Sequence, residues 1–246
     1  MASMKILYAG DSPVGGPANY LLAILKNLKA DFRHVPPEKN LQPDLFKKRF
    51  DAIILSDFSR KHVTATVQRV MVRQIEEGCG FLMIGGWGSF SGPFGGWRGS
   101  IVEKIMPVFC LGRDDRINFP GGAHVVVQRE HPIFQGLSFT HPPAILGLNE
   151  IRPKKNTLTL LNAKKIISVG DRLMLDPVEH PLLVIDGRPE KRIAALATDI
   201  APHWCGGLLD WGKTHVKLPV SSSIRVEVGD CYVRFLSLLI RWLAHA

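Results

Sequence analysis

The feature that most constrains this chain is the alternation of strand-like and helix-like segments over residues 5–84. Lys5 to Ala9 reads as a strand, and Pro17 opens a segment with Leu21, Ile24, Leu25 and Leu28 at the spacing of one helix face. Phe32 to Val35 reads as a short edge strand and Ala52 to Leu55 as a buried one. Val67, Val70, Met71 and Ile75 mark a second helix that stops at Gly78, and Phe81 to Ile84 is the next buried strand. Such an order predicts a doubly wound α/β fold, a parallel sheet covered on both faces. Ligands of such sheets bind in the crevice beyond the carboxyl ends of the strands. Asp11, Asp57 and Gly86 to Ser89 all fall there, each just after a strand.

The rest of the chain is less regular. Ala123 to Val127, Leu158 to Leu161 and Leu182 to Ile185 read as strands within a β-rich middle. A buried strand follows at Ile193 to Thr198, with Asp199 at its end. Tyr232, Phe235, Leu236, Leu239 and Trp242 then mark a closing helix. No repeat or low-complexity linker divides the chain, and 246 residues suit one domain, spanning 1–246. Between Gly85 and Gly99 lie seven glycines with Trp87, Phe90, Phe94 and Trp97. That composition suits a loop lying against a pocket, and equally an aromatic plug for the end of the sheet.

Several chemistries fail on spacing. Residues 10–20, GDSPVGGPANY, lack the G-x-G-x-x-G of a dinucleotide site, and no phosphate loop is present. Neither Ser89 nor Ser91 has the glycine two residues before it that a hydrolase elbow needs. His203 and Cys205 with Asp199 do not complete a metal-ligand set, so no metal and no cofactor are expected. Cys79, Cys110, Cys205 and Cys231 form no C-x-x-C pair and are read as reduced thiols. The net charge of +9 favours anionic partners. Its basic clusters are short, scattered and not interleaved with aromatics, which argues against nucleic acid. No run approaches the roughly 20 apolar residues of a membrane span, and the expected location is the cytoplasm.

Asp11, Asp57 and Asp199 suit two roles at the strand ends. They can accept hydrogen bonds from a ligand's hydroxyls or amines, or cap the turns that follow them. Asp114-Asp115-Arg116 reads as an internal ion pair in a turn.

Gly10-Asp11-Ser12, DAIILSD at 51–57, GFLMIGGWGSFSG at 80–92, DDR at 114–116, EHPIFQG at 130–136 and TDIAPHW at 198–204 carry a resemblance. With them the chain resembles the class I glutamine amidotransferase-like superfamily, and within it the bacterial family described as putative glutamine amidotransferases. The resemblance implies a flavodoxin-like three-layer α/β sandwich with a mostly parallel central sheet. In the superfamily a cysteine nucleophile sits at the turn after a strand, and a histidine with a glutamate two residues on completes the apparatus. Here the nucleophile position falls on Gly86, or on Trp87 in a register shifted by one, and the residue two beyond His203 is Cys205. The resemblance therefore implies ancestry without glutaminase chemistry.

Glycine occupies a strained elbow at little cost and would leave backbone N–H groups aimed at the crevice. The expected function is thus the binding of a small polar or anionic molecule by Asp11, Asp57, Gly86, Trp87, Ser89, Asp199, His203 and Trp204. One rival is a hydrolase or lyase with His203 as base and Asp199 or Asp57 as its partner. Another is an oligomeric scaffold assembled through the aromatic loop at 87–97, and a homo-oligomer is compatible with all three readings.

Overall fold

The computed structural model describes residues 3–12 and 16–246. The chain begins with β1 (Lys5–Gly10), α1 (Ala18–Asn27), β2 (Asp31–Val35), β3 (Ala52–Ser56), α2 (Ala65–Glu76) and β4 (Gly80–Ile84). It continues through α3 (Ile101–Ile105), β5 (Val108–Phe109), β6 (Arg116–Val127), β7 (Ala144–Asn149), β8 (Arg152–Pro153), β9 (Thr157–Val169) and β10 (Arg172–Asp186). It ends with β11 (Ile193–Leu196), α4 (Pro202–Cys205), β12 (His215–Pro219), β13 (Arg225–Gly229) and α5 (Asp230–Leu243).

Nine strands form one sheet in the order β2-β1-β3-β4-β11-β10-β9-β6-β7. The first five run parallel, as the alternation at the start of the chain predicts. β10, β9, β6 and β7 extend the sheet through antiparallel pairings. The β-rich middle thus adds antiparallel strands to the parallel half of the central sheet.

Every residue of β3 and β4 is buried, and all of β1 except Lys5. Strands with no exposed face need cover on both sides. One group of helices is α1 with α5, joined by the β12–β13 hairpin, and another is α2 with α3. Together they complete a three-layer sandwich. In α5, Tyr232, Phe235, Leu236 and Leu239 are at most 1% exposed, each burial contributing about 1.5–3 kcal/mol. No helix among the described residues is long and apolar enough to cross a membrane.

Strand register sets the position of the site. Gly10 pairs with Ser56, Ser56 with Ile84, and Ile84 with Leu196. Four neighbouring parallel strands therefore end in line, and Asp11, Asp57, Gly85 and Ala197 leave the sheet side by side. From β1 the chain passes to β2 on one flank and later to β3 on the other, which opens a crevice between the β1 and β3 ends.

Candidate functional site

Two aspartates leave the sheet in the same unusual conformation. Asp11 and Asp57 each follow the last residue of a parallel strand, and each has φ 48°. Among residues with a side-chain Cβ, Asp and Asn enter this left-handed region most readily. Strain of this kind concentrates where a neighbouring structure demands it. For Asp57 the neighbour is the loop after β4. Its N–H donates to the Ser89 hydroxyl at 3.2 Å, and its Oδ1 accepts a short hydrogen bond from the Gly88 N–H. Ser89 in turn donates to the Ile84 carbonyl at 2.5 Å.

This network corrects two sequence expectations. Ser89 is 1% exposed, and its hydroxyl is consumed in joining the ends of β3 and β4, so it does not face a ligand. The N–H groups of Gly86 and Gly88 at this corner, expected to face the crevice, are also engaged. Gly88 donates to Asp57, while Gly86 donates to Asn149 Oδ1 at 2.8 Å. Asn149 Nδ2 returns bonds to the Gly86 carbonyl at 3.2 Å and to Asp115 Oδ1 at 2.7 Å. Asp115, fully buried, also accepts from the Ser91 N–H at 2.7 Å. The expected ion pair is formed by Asp114 and Arg116, at 2.7 Å, while Asp115 is a buried brace for the corner.

Asp57, Gly86, Trp87, Asp199, His203 and Trp204 line one cavity of about 520 Å³, with Tyr20 on its wall. Asp11 does not line it: the side chain is 3% exposed and lies below the opening. Tyr8 donates to Asp11 Oδ2 at 2.7 Å, and Oδ1 has no hydrogen-bond partner among the described residues. The Ser56 hydroxyl is near this carboxylate but outside hydrogen-bond geometry, and it too is buried without a partner. Asp199 Oδ1 accepts from the Ile200 and Ala201 N–H groups at 2.5 and 3.0 Å, and so starts the turn into α4. Tyr232 of α5 fixes that turn by donating to the Ile200 carbonyl at 2.6 Å.

All three carboxyl groups are less acidic than usual. Burial raises Asp11 to about 7, with the charge of Asp57 adding to the effect. Burial also raises Asp199, well above the ordinary range, helped by Asp11 and Asp57. Asp57 is raised by burial, against the opposing Gly88 N–H and His203. Carboxylates gathered at low dielectric disfavour one another's ionised forms.

The aromatic residues divide into walls and core. Trp204 lines the cavity but is 2% exposed, and its Nε1 donates to Asn118 Oδ1 at 2.9 Å. His203 is exposed and stacked on Trp204, and it makes no hydrogen bond to Asp57 or Asp199. Trp87 is 43% exposed, stacked against Phe94 on one side, with the Arg116 guanidinium 4.2 Å from its ring centre. Trp97, expected in a loop available for assembly, is instead fully buried in its own chain. Its Nε1 donates to the Phe58 and Gly88 carbonyls at 2.9 and 3.3 Å. Cys205 is buried, with its thiol pushed up by that burial. Among the described residues, no group of three or more His, Cys, Asp or Glu is placed to hold a metal.

The side chain missing from Gly86 could not be added without rearrangement. A Cβ there would lie 2.7 Å from Asp57 Oδ1 and 2.8 Å from its Cβ and Cγ, and φ is 148°. The Asp57 carboxylate occupies the space into which a side chain at 86 would project. Asn149, which holds this arrangement with Asp115, carries no local motif that would single it out in the sequence, and Asp115 stands there only as part of the DDR read as an ion pair.

A family model described as "Putative glutamine amidotransferase" matches residues 16–218. No curated protein matches the chain. Among solved structures, a cytoplasmic protein from Salmonella typhimurium LT2 is similar, with a TM-score of 0.66 and 25% identity over 82% of this chain and 91% of that one. A second cytoplasmic protein from Salmonella typhimurium gives 0.64 and 21% over the same shares. A "putative ThuA-like protein" from Bacteroides uniformis gives 0.58 and 15% over 98% of this chain and 91% of that one. The last two likenesses show the fold alone.

Proposed function

The chain belongs to the putative glutamine amidotransferase family, and from that premise we propose that it binds a small polar molecule in the crevice beyond its parallel strands, without glutaminase chemistry. The observation that carries this reading is the overlap between Asp57 and the space in front of Gly86. An amidotransferase turn needs an attacking side chain there, with a base within reach. Here the turn has no side chain, and a carboxylate held by the Gly88 N–H takes up the space. What remains is a cavity of about 520 Å³, a volume typical of small-molecule sites. Its polar groups are suited to accepting hydrogen bonds. A cytoplasmic location accords with the 25% identical Salmonella protein described as cytoplasmic.

One observation favours the hydrolase or lyase reading: His203 lies near enough to Asp57 to favour its ionised form. Among the described residues no hydrogen bond fixes the tautomer of that ring, as a general base requires. Binding is therefore the better-supported role.

The purified protein should release ammonia from glutamine no faster than a heat-denatured sample. Release well above that level, abolished by His203→Ala or Cys205→Ser, would overturn the proposal.

A further inference from the structure

We propose that the molecule this crevice takes is a small organic cation, an ammonium carried on a compact carbon skeleton, held by Asp57 and Asp199 between aromatic walls. The inference rests on the binding role argued above and narrows its ligand.

Charge is the first support. The chain has 31 lysines and arginines against 22 acidic residues, yet the described lining of this cavity contains two aspartates and no lysine or arginine. Arg116, over Trp87, is held by Asp114, and Lys61 lines a separate hollow of about 340 Å³ that shares Asp57 and Trp87. An anion entering the crevice would meet two aspartates with no lysine or arginine facing it and only the His203 ring as a potential cation, so the anionic ligand expected from net charge fits poorly.

The second support is independent of the lining. Asp11 is 97% buried by its 3% exposure, and its Oδ1 has no partner among the described residues. It stands close enough to Asp57 and Asp199 for each carboxylate to disfavour ionisation of the next. Asp11 lies beneath the crevice and does not touch its occupant, but a positive charge held above it between Asp57 and Asp199 would offset the mutual repulsion of the three carboxylates.

The third support is the aromatic wall of Trp87, Tyr20 and Trp204. Aromatic faces attract cations, and Trp87 already attracts the Arg116 guanidinium. Apolar faces beside carboxylates suit a cation with carbon attached better than a bare metal ion, which takes oxygen ligands in a closed shell.

The test uses choline, its neutral isostere 3,3-dimethylbutan-1-ol, acetate and Mg²⁺. Each is titrated into the full-length ¹⁵N-labelled protein while the Trp87 indole N–H resonance is followed. Choline should shift that resonance with saturation in the millimolar range or below, and the alcohol, acetate and Mg²⁺ should not. Asp57→Asn and Asp199→Asn keep the side-chain shape and an Oδ1 for the backbone donors, and each should weaken choline by about tenfold or more. Asp176→Asn, on β10, should leave it unchanged.

If the alcohol binds as well as choline and responds equally to Asp57→Asn, the cation inference is overturned while the crevice remains a binding site. Binding of acetate or Mg²⁺ in place of choline overturns it likewise. If none of the four perturbs Trp87, both the cation inference and the crevice reading fail.

Discussion

The carboxylate of Asp57 fills the space in front of Gly86, with Oδ1 2.7 Å from where a Cβ on residue 86 would sit. The glycine and the aspartate form one unit, because each adopts a conformation that the other requires. Gly86 has φ 148° and Asp57 has φ 48°.

Gly86→Ala should destabilise the protein by about 2–4 kcal/mol, the sum of backbone strain and local overpacking. Combining it with Asp57→Gly should recover at least about 1 kcal/mol, because the clash partner is gone and glycine suits φ 48°. Urea unfolding of the two single variants and the double variant measures the coupling. Strict additivity would mean that the two positions do not compete for space.

Asn149 is predicted to be the brace on which the corner depends. Its side chain makes bonds to the Gly86 N–H, the Gly86 carbonyl and the buried Asp115. Asn149→Leu should cost about 2–4 kcal/mol, since it strands buried polar groups with no solvent to replace the lost partner. Asn149→Asp keeps an acceptor for the Gly86 N–H but sets a carboxyl against Asp115, whose own pKa burial already raises to about 6. That variant should be less harmed at pH 5 than at pH 8, because a proton between the two carboxyls replaces the lost donor. Unfolding midpoints at the two pH values test it.

The aromatic loop contains two kinds of residue that composition does not distinguish. Trp97 is fully buried with its Nε1 bonded inside the chain, whereas Phe94 is 60% exposed. Trp97→Phe should cost about 1–2 kcal/mol through the unpaired carbonyls of Phe58 and Gly88. Phe94→Ser should change stability by no more than about 0.5 kcal/mol. Equal effects at the two positions would contradict this division.

What could be read from the sequence follows from how local its cause is. β1, β3 and β4 are short apolar runs bounded by turn residues, and α1, α2 and α5 carry apolar faces at helical spacing, so each is visible within its own segment. The gathering of Asp57, Asp199 and Gly86 follows from parallel register, which the alternation of elements implies. That β9, β10, β6 and β7 join the same sheet is not local, since strand pairing across the middle leaves no mark in any one segment. The same holds for α3, only five residues long, and for the β12–β13 hairpin. Asn149 and Asp115 could not be read as a brace because their roles exist only once β7 is laid against the glycine corner. The direction of the Ser89 hydroxyl, inward to Ile84 and Asp57, was hidden for the same reason.

The last prediction concerns pH. Asp11 is raised from an ordinary value of 3.8 to about 7, chiefly by burial, and Asp115 to about 6, also by burial. Asp57 and Asp199 are shifted in the same direction. A carboxyl whose pKa is higher in the folded protein than in the unfolded chain binds its proton more tightly when folded. Its favourable contribution is therefore complete below about pH 4 and is lost as pH rises through about 7. Exposed pairs act oppositely: Arg116 lowers Asp114, and Asn162 with Lys164 lowers Glu179, so their contribution is lost as pH falls through the acid range. Stability should thus peak on the acid side of neutrality. Asp11→Asn isolates the first effect, because asparagine accepts the Tyr8 hydroxyl, tolerates φ 48° and does not titrate. Unfolding free energies measured from pH 4 to pH 8 should fall less steeply in Asp11→Asn than in the parent protein. Parallel slopes would show that Asp11 holds no extra proton in the folded state.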